Sequence, residues 1–314
     1  MPELPEVQTT VNGINELAKK WKIRDVWTDY RSSFHSQKNN IKNPKFFVKF
    51  KKQILDTEIE SCTRRAKNIL IHLSNQKTIL IHLKMTGHVM CGDYKYHKNQ
   101  SIWKPLSTDM SDPLNDPFNR FIHLVFTLEK NIRGQNKIKH LVLSDTRKFA
   151  KVTLLDTPHL DKSDDLSHLG IEPLDKICTY SMFVEQLGKR PDAPIKQVLM
   201  DQTLITGIGN IYSDEILWQT NVHPKSTFAG IPGIVRKTMF KAMKELLLKG
   251  IRLGGDSMSD YRNIHGLPGN FQKQHKAYQK THKKCEKKGC TGIIERIIVG
   301  SRSTHFCPKH QIKY

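Results

Sequence analysis

Apolar residues recur at helical spacing over the first twenty positions, with Val7, Val11, Ile14, Leu17 and Ala18 on one face. Pro5 and Glu6 suit a first turn, so the pattern predicts a helix over 5–20. From about residue 22 to 156 the period shortens. FFVKF (46–50), ILDTEIESC (54–62), NILIHLS (68–74), TILIHLKM (78–85), RFIHLVFTL (120–128), KHLVLSD (139–145) and AKVTLLD (150–156) read as short strands. Their alternation and spacing predict a sandwich of antiparallel strands. Residues 92–119 interrupt this pattern and read as a long polar insertion with no core of its own. Strand patterning ends at 157–174, where Pro, Asp and Ser accumulate, and 180–250 reads helical, ending in a segment from Pro232 to Lys249 closed by Gly250. A glycine-rich stretch at 252–270 reads as a flexible loop. Lysine and histidine then dominate 272–288, ahead of a cysteine cluster. The expected class is α+β multidomain. An N-terminal helix plus antiparallel β-sandwich occupies 1–158, a helical domain 159–271, and a small metal-binding β-hairpin 272–314.

Charge narrows the partner. Lys plus Arg number 51 against 30 acidic residues, a formal net charge of +21, which favours a polyanion. No apolar run approaches the ~18 residues of a membrane helix and no hydrophobic signal segment is evident, so a cytosolic protein is expected. Cys62, Cys91 and Cys178 are scattered as reduced thiols, whereas Cys285, Cys290 and Cys307 crowd the last thirty residues, which points to metal.

Several groups carry candidate chemistry. The chain opens Met-Pro-Glu-Leu-Pro-Glu-Val, and removal of Met1 makes Pro2 a terminal secondary amine. An α-amino group titrates near ~8, well below lysine, so Pro2 is a nucleophile able to form an iminium at a sugar carbon. Glu3 beside it can pass protons. The set Cys285-x4-Cys290-x16-Cys307-x2-His310 suits a closed tetrahedral zinc site, with His282 and His305 as alternative ligands to His310. Between the pairs, two strands joined at Gly300-Ser301 would present Arg302 to a phosphate or a reacting sugar. Gly207-Ile208-Gly209-Asn210 joins two helical segments, with Asn210 and Tyr212 able to bond a phosphate backbone. At strand ends lie Arg64-Arg65-Ala66-Lys67, Lys84-Met85-Thr86-Gly87 and Asp145-Thr146-Arg147-Lys148-Phe149, whose exposed apolar and arginine side chains suit filling the hole left by an extruded base.

Taken together, MPELPEV (1–7), RRAK (64–67), KMTG (84–87), DTRKF (145–149), LGIEPL (169–174), IKQVLMDQ (195–202), GIGNIYSDE (207–215), the 254–271 loop and the cysteine cluster resemble, in order and nearly end to end, the bacterial formamidopyrimidine-DNA glycosylases of the Fpg/Nei family. The resemblance implies a helix-two-turn-helix in the second domain, a C-terminal zinc finger, and base-excision repair of damaged duplex DNA by a monomer. It implies a bifunctional DNA glycosylase and AP lyase that removes oxidised purines (8-oxoguanine, formamidopyrimidines) through a Pro2 Schiff base. The strand would then be cut by β,δ-elimination. Glu3 would protonate the sugar, and Lys67 and Arg302 match the residues assigned to the two eliminations. Met85, Arg147 and Phe149 match a void-filling trio. Lys196, Asn210 and Tyr212 match phosphate-gripping positions, and Arg190 lies near another. Three departures stand out: His310 replaces a cysteine, the first knuckle is Cys-x4-Cys, and Asn119, at the end of a long insertion, falls where the family carries a DNA-contacting histidine. A Nei-like oxidised-pyrimidine glycosylase and a non-catalytic zinc-containing DNA-binding protein are the alternatives.

Overall fold

A computed structural model describes residues 1–258 and 260–314, which divide into two compact units. The first comprises Met1–Ser167 with Gly254–Asn270, the second His168–Leu253 with Phe271–Tyr314. No helix among the described residues is long and apolar enough to cross a membrane.

The first unit begins with α1 (Leu4–Leu17), whose start is fixed by a reciprocal cap: the Glu3 amide donates to Glu6 Oε2 at 2.7 Å. There follow β1 (Lys22–Thr28), α2 (Pro44–Ile54), β2 (Ile59–Arg65), β3 (Asn68–Leu73), β4 (Lys77–His82), β5 (His88–Gly92), β6 (Tyr94–His97), β7 (Ile102–Pro105), β8 (Ile122–Ile132), β9 (Gln135–Ser144) and β10 (Lys151–Asp156). Two four-stranded antiparallel sheets result, ordered β1-β8-β9-β5 and β10-β4-β3-β2. Alternation along the strands makes the core. Ile69, Ile71, Ile79, Ile81, Leu124, Phe126, Leu141 and Leu143 join Val7, Val11 and Ile14 of α1 in one buried cluster. The expected sandwich is therefore present.

Four expectations are revised locally. FFVKF is helix, not strand: Phe50 and Ile54 are buried on one face of α2 while Val48 is exposed. Pro44 opens that helix and the Asn43 side chain accepts from the Lys45 amide, a capping signal present in the sequence. The 92–119 insertion is ordered by packing on the first sheet. β6 and β7 pair as a hairpin, and Tyr94, Trp103 and Leu114 pack on Met90, Ile122, Val125 and Val142, the alternate positions of the first sheet. The 254–270 segment is no detached loop, because Ile264 lies in the first unit's core, its carbonyl accepts from the Cys91 amide at 2.9 Å, and it fills the space beside Gly13 that a side chain there would need. Gly250 closes nothing: its helix runs through it to Arg252.

The second unit holds α3 (Tyr180–Leu187), α4 (Ile195–Met200), α5 (Asn210–Gln219) and α6 (Gly233–Arg252), followed by the hairpin β11 (Glu295–Val299) and β12 (Arg302–Phe306). Thr179 caps α3 through its side chain. The turn into α5 uses Gly207 at φ +83°, a left-handed conformation glycine adopts without steric cost. β11 and β12 meet at Val299–Arg302 across a two-residue turn in which Gly300 and Ser301 have φ +54° and +61°. Both signs are those of a type I′ turn, which matches the twist of the strands it joins.

Candidate nucleic-acid interface and metal centre

At the head of α1, Pro2 and Glu3 are buried. Glu6 is what pins them. Its Oε2 takes the Glu3 amide, its Oε1 takes the Asp256 amide at 2.8 Å, and its carbonyl accepts from the Tyr261 hydroxyl at 3.0 Å. Burial, with the Glu3 charge beside it, pushes the Glu6 carboxyl up to about 7. In the sequence Glu6 signals only the first turn of the helix. Lys67, also buried, occupies the β2–β3 turn, which is tied to α1 by Arg64 Nε donating to Gln8 Oε1 at 3.0 Å. Asn15 reinforces the tie by exchanging hydrogen bonds with the Cys62 backbone at 2.7 and 2.8 Å.

Asp145 organises the loops that carry Met85, Arg147 and Phe149. Wholly buried, it accepts from the Tyr30 hydroxyl at 3.1 Å, the Thr86 hydroxyl at 2.5 Å and the Ala150 amide at 2.7 Å. Thr86 in turn receives the Arg147 amide at 3.3 Å. One carboxylate thus ties the 83–87 turn to the 145–150 loop. Outside this knot Met85 is 40% and Phe149 48% exposed, and the Arg147 guanidinium lies 4.4 Å from the Phe149 ring centre. The neighbours of several candidates share a backbone state: Ala66, Lys84, Lys148 and Ser301 all have positive φ, and each immediately precedes Lys67, Met85, Phe149 or Arg302. A non-glycine residue in this region costs of order 1 kcal/mol or more, and such strain gathers at functional sites.

In the second unit a cavity of about 610 Å3 opens at the N-terminus of α5, lined among others by Asn210, Tyr278, Arg296, Ser301, Arg302 and His305. Two guanidinium groups and the positive end of a helix give it the chemistry that suits an anion. Asn210 and Arg302, two separate sequence candidates, both line it; Arg296 and Tyr278 were not foreseen. Two other sequence candidates are corrected. Lys196 is 0% exposed, with Nζ bonded to Asp214 Oδ1 at 2.5 Å and the Asn210 carbonyl at 3.0 Å, so it holds α4 to α5 instead of reaching a phosphate. Tyr212 is also 0% exposed and stacks on Phe271 at 4.7 Å. Arg190 is at the surface but pairs with Asp201 at 2.7 Å. In the first unit Asn119 is corrected likewise: 1% exposed, it accepts from His88 Nε2 at 2.9 Å and donates to the Pro113 and Gly266 carbonyls, so it ties the insertion to the 254–270 segment and is not presented to DNA.

The rest of the GIGNIYSDE motif is scaffold. Ser213 donates to the Gly209 carbonyl, Asp214 Oδ2 takes the His305 amide at 3.0 Å and its ring nitrogen at 3.1 Å, and Glu215 accepts the amides of Lys276, Ala277 and Tyr278. Those contacts set the approach to the metal centre. Cys285, Cys290, Cys307 and His310 put all four ligand atoms within 4.8 Å of one another. The Cys290 and Cys307 sulfurs are 3.6 Å apart and Cys285 Sγ is 3.3 Å from His310 Nδ1, close to the edges of a tetrahedron with Zn–S near 2.3 Å. His310 Nε2 faces the Trp218 carbonyl at 3.2 Å, which leaves Nδ1 for the metal. His305 is engaged by Asp214 and neither it nor His282 belongs to the cluster. The donor set fits a structural zinc ion.

Comparison with known proteins agrees with this arrangement. Residues 1–152 match the family model of the formamidopyrimidine-DNA glycosylase N-terminal domain, and residues 169–262 that of the formamidopyrimidine-DNA glycosylase H2TH domain. A formamidopyrimidine-DNA glycosylase of Chelativorans sp. is 30% identical, covering 98% of this chain and 99% of its own. The Bacillus subtilis enzyme of that name is 32% identical over 100% of both chains. Among solved structures, Lactococcus lactis Fpg bound to DNA containing an abasic site matches with a TM-score of 0.77 at 26% identity, covering 98% of both chains. MutM in complex with carbocyclic 8-oxo-G containing DNA matches with a TM-score of 0.77 at 27% identity, over 99% of this chain and 100% of the other. The family models together span most of the chain and the relatives run its full length, so the chain belongs to the formamidopyrimidine-DNA glycosylase family.

Proposed function

We propose that this protein is a base-excision repair enzyme, a DNA glycosylase and AP lyase acting as a monomer on oxidised purines in duplex DNA. With Met1 removed, the Pro2 nitrogen attacks C1′ of the damaged nucleotide, and the bond from C1′ to the base breaks with the electron pair leaving on the base. Opening of the sugar ring then gives an iminium between Pro2 and C1′, with Glu3 delivering the proton that O4′ takes up. Loss of a C2′ proton expels the 3′ phosphate, and a second elimination expels the 5′ phosphate. Lys67 assists the first elimination and Arg302 the second. Zinc folds the hairpin on which Arg302 stands, a segment too small to hold itself by an apolar core. An enzyme of this kind works at the nucleoid in the cytoplasm.

The observation that carries the reading is the pinned terminus. Chain ends are ordinarily loose, yet here Pro2 is buried beside Glu3, whose amide is held by Glu6, and Glu6 is held in turn by the Asp256 amide. A non-catalytic DNA-binding protein has no use for that. The test is borohydride trapping on duplexes carrying 8-oxoguanine, a formamidopyrimidine or an oxidised pyrimidine. The processed protein is expected to cross-link to the purine lesions and a form retaining Met1 to cross-link to none. Trapping by a blocked N-terminus would dismiss Pro2, and preferential trapping on the pyrimidine would move the lesion class.

A further inference from the structure

A second cavity, of about 650 Å3, lies in the first unit with Phe149 in its lining, and the mechanism above does not use it. Four separate segments build it. Lys38 and Lys42 come from the stretch after the Ser33–His35 turn, Lys84 from the 83–87 turn, Lys151 from β10 and Lys162 from the turn that follows it. Five lysines therefore line one opening against two carboxylates, Asp164 and Asp165, and Asp165 is already engaged by Lys151. Lys42 is nearly buried, its Nζ donating to the Lys148 carbonyl at 2.6 Å. Burial and the neighbouring Lys151 charge lower the Lys84 ammonium from its ordinary value, and the Asp165 carboxylate partly opposes them. Phe149, half exposed, forms one wall.

We propose that this cavity binds the sugar-phosphate backbone of duplex DNA beyond the lesion, the exposed Lys38, Lys84 and Lys162 neutralising phosphate while the buried Lys42 holds the floor. Five lysines against two carboxylates leave the opening net positive, which phosphate would neutralise. The wall formed by Phe149 gives the direction, because an enzyme of the proposed function would use that ring, as the family resemblance implies, to fill the void in the duplex, which carries the flanking backbone over the opening. The inference rests on that reading only for this continuity.

The test is the salt dependence of binding to undamaged duplex, which needs no catalysis. Lys38→Ala/Lys162→Ala removes two exposed lysines, of which Lys38 also lies 4.9 Å from the Phe34 ring centre, with Lys137→Ala, outside the cavity, as control. The double variant is expected to flatten the slope of log K against log salt by about one to two. It should weaken lesion-containing and undamaged duplex alike and leave borohydride trapping at saturating protein unchanged. A slope equal to that of the control overturns the proposal. If millimolar inorganic phosphate at constant ionic strength raises the melting temperature of the wild type but not of the double variant, and the DNA slope is unchanged, the cavity takes free phosphate and the DNA assignment falls. Absence of trapping on every lesion, with the slope still flattened, would sink the catalytic reading and leave this one standing.

Discussion

Two short polar motifs, DTRKF at 145–149 and GIGNIYSDE at 207–215, look alike in sequence and do different work. In the first, one residue is hidden and two are shown: Asp145 gathers three donors inside the first unit while Arg147 and Phe149 face outward. In the second nearly everything is hidden. Tyr212, Ser213, Asp214 and Glu215 are buried, and among them Asp214 and Glu215 bond the preceding helix α4, β12 and the backbone before the metal centre. Only Asn210 is left at the cavity mouth. A polar motif in a DNA-binding chain can thus consist mostly of residues that hold and only one or two that touch.

The sharpest way to break this comparison is to remove a holder outright. Cys307→Ser should lower bound zinc well below one per chain and unfold the hairpin, because metal binding in such small segments contributes on the order of 10 kcal/mol. Arg302→Ala, a presenter on the same hairpin, should keep the zinc and lose the second elimination. Metal content per chain and nicking of lesion DNA separate the two; normal zinc in Cys307→Ser would contradict the ligand assignment. His310→Cys should keep the metal.

Next in size is the buried pair of Lys196 and Asp214. Deleting one member strands a charge, which typically costs about 3–5 kcal/mol. Lys196→Ala should therefore shift the urea midpoint strongly. If it left stability intact and only weakened DNA binding, Lys196 would be a phosphate ligand after all and the motif would have to be redivided. Asp145→Ala should cost somewhat less, about 1–3 kcal/mol for the donors it orphans, and it should impair excision as well by releasing Arg147 and Phe149. Phe149→Ala should slow excision with little change in the urea midpoint.

Glu6 yields a smaller, pH-dependent effect. Its folded-state carboxyl is raised to about 7 from 4.5, so folding takes up a proton in that window. Stability from this group is fully present below about 4.5 and is lost as pH rises towards 7, at a limiting slope of about 1.4 kcal/mol per pH unit. Glu6→Gln should remove that slope from the urea midpoint. Identical pH profiles in the two proteins would show that Glu6 is ionised throughout.

The sequence displayed the sandwich because strands such as NILIHLS and TILIHLKM alternate between a core side and a second face, and it displayed the metal centre because four ligands must share two knuckles. It hid α2, since FFVKF satisfies strand propensity while Asn43-Pro44 sets a helix cap. The insertion's packing stayed hidden for another reason: its aromatic residues are too sparse to show a period, and they pack on a sheet formed elsewhere in the chain. Burial of Lys196 and Asn119 was equally illegible. Which end of a lysine or asparagine faces water depends on partners such as Asp214 and Gly266, fixed only by tertiary contacts.

Arg190 gives the smallest expected effect and the finest division between holding and touching. Its guanidinium is partly exposed and paired with Asp201, whose carboxylate also bonds the Thr203 amide and hydroxyl, so the acid is well satisfied without the arginine. Exposed pairs of this kind are worth about 0–1 kcal/mol. Arg190→Gln should accordingly move the urea midpoint by less than about 1 kcal/mol. If the side chain is committed to Asp201, the salt dependence of duplex binding stays as in the wild type. If it leaves Asp201 for DNA, the slope of log K against log salt falls by about one, placing Arg190 with Asn210 and Arg302 among the residues that touch. An unchanged slope together with an unchanged midpoint would assign it to neither class, and the resemblance that singled it out would then have no counterpart at this position.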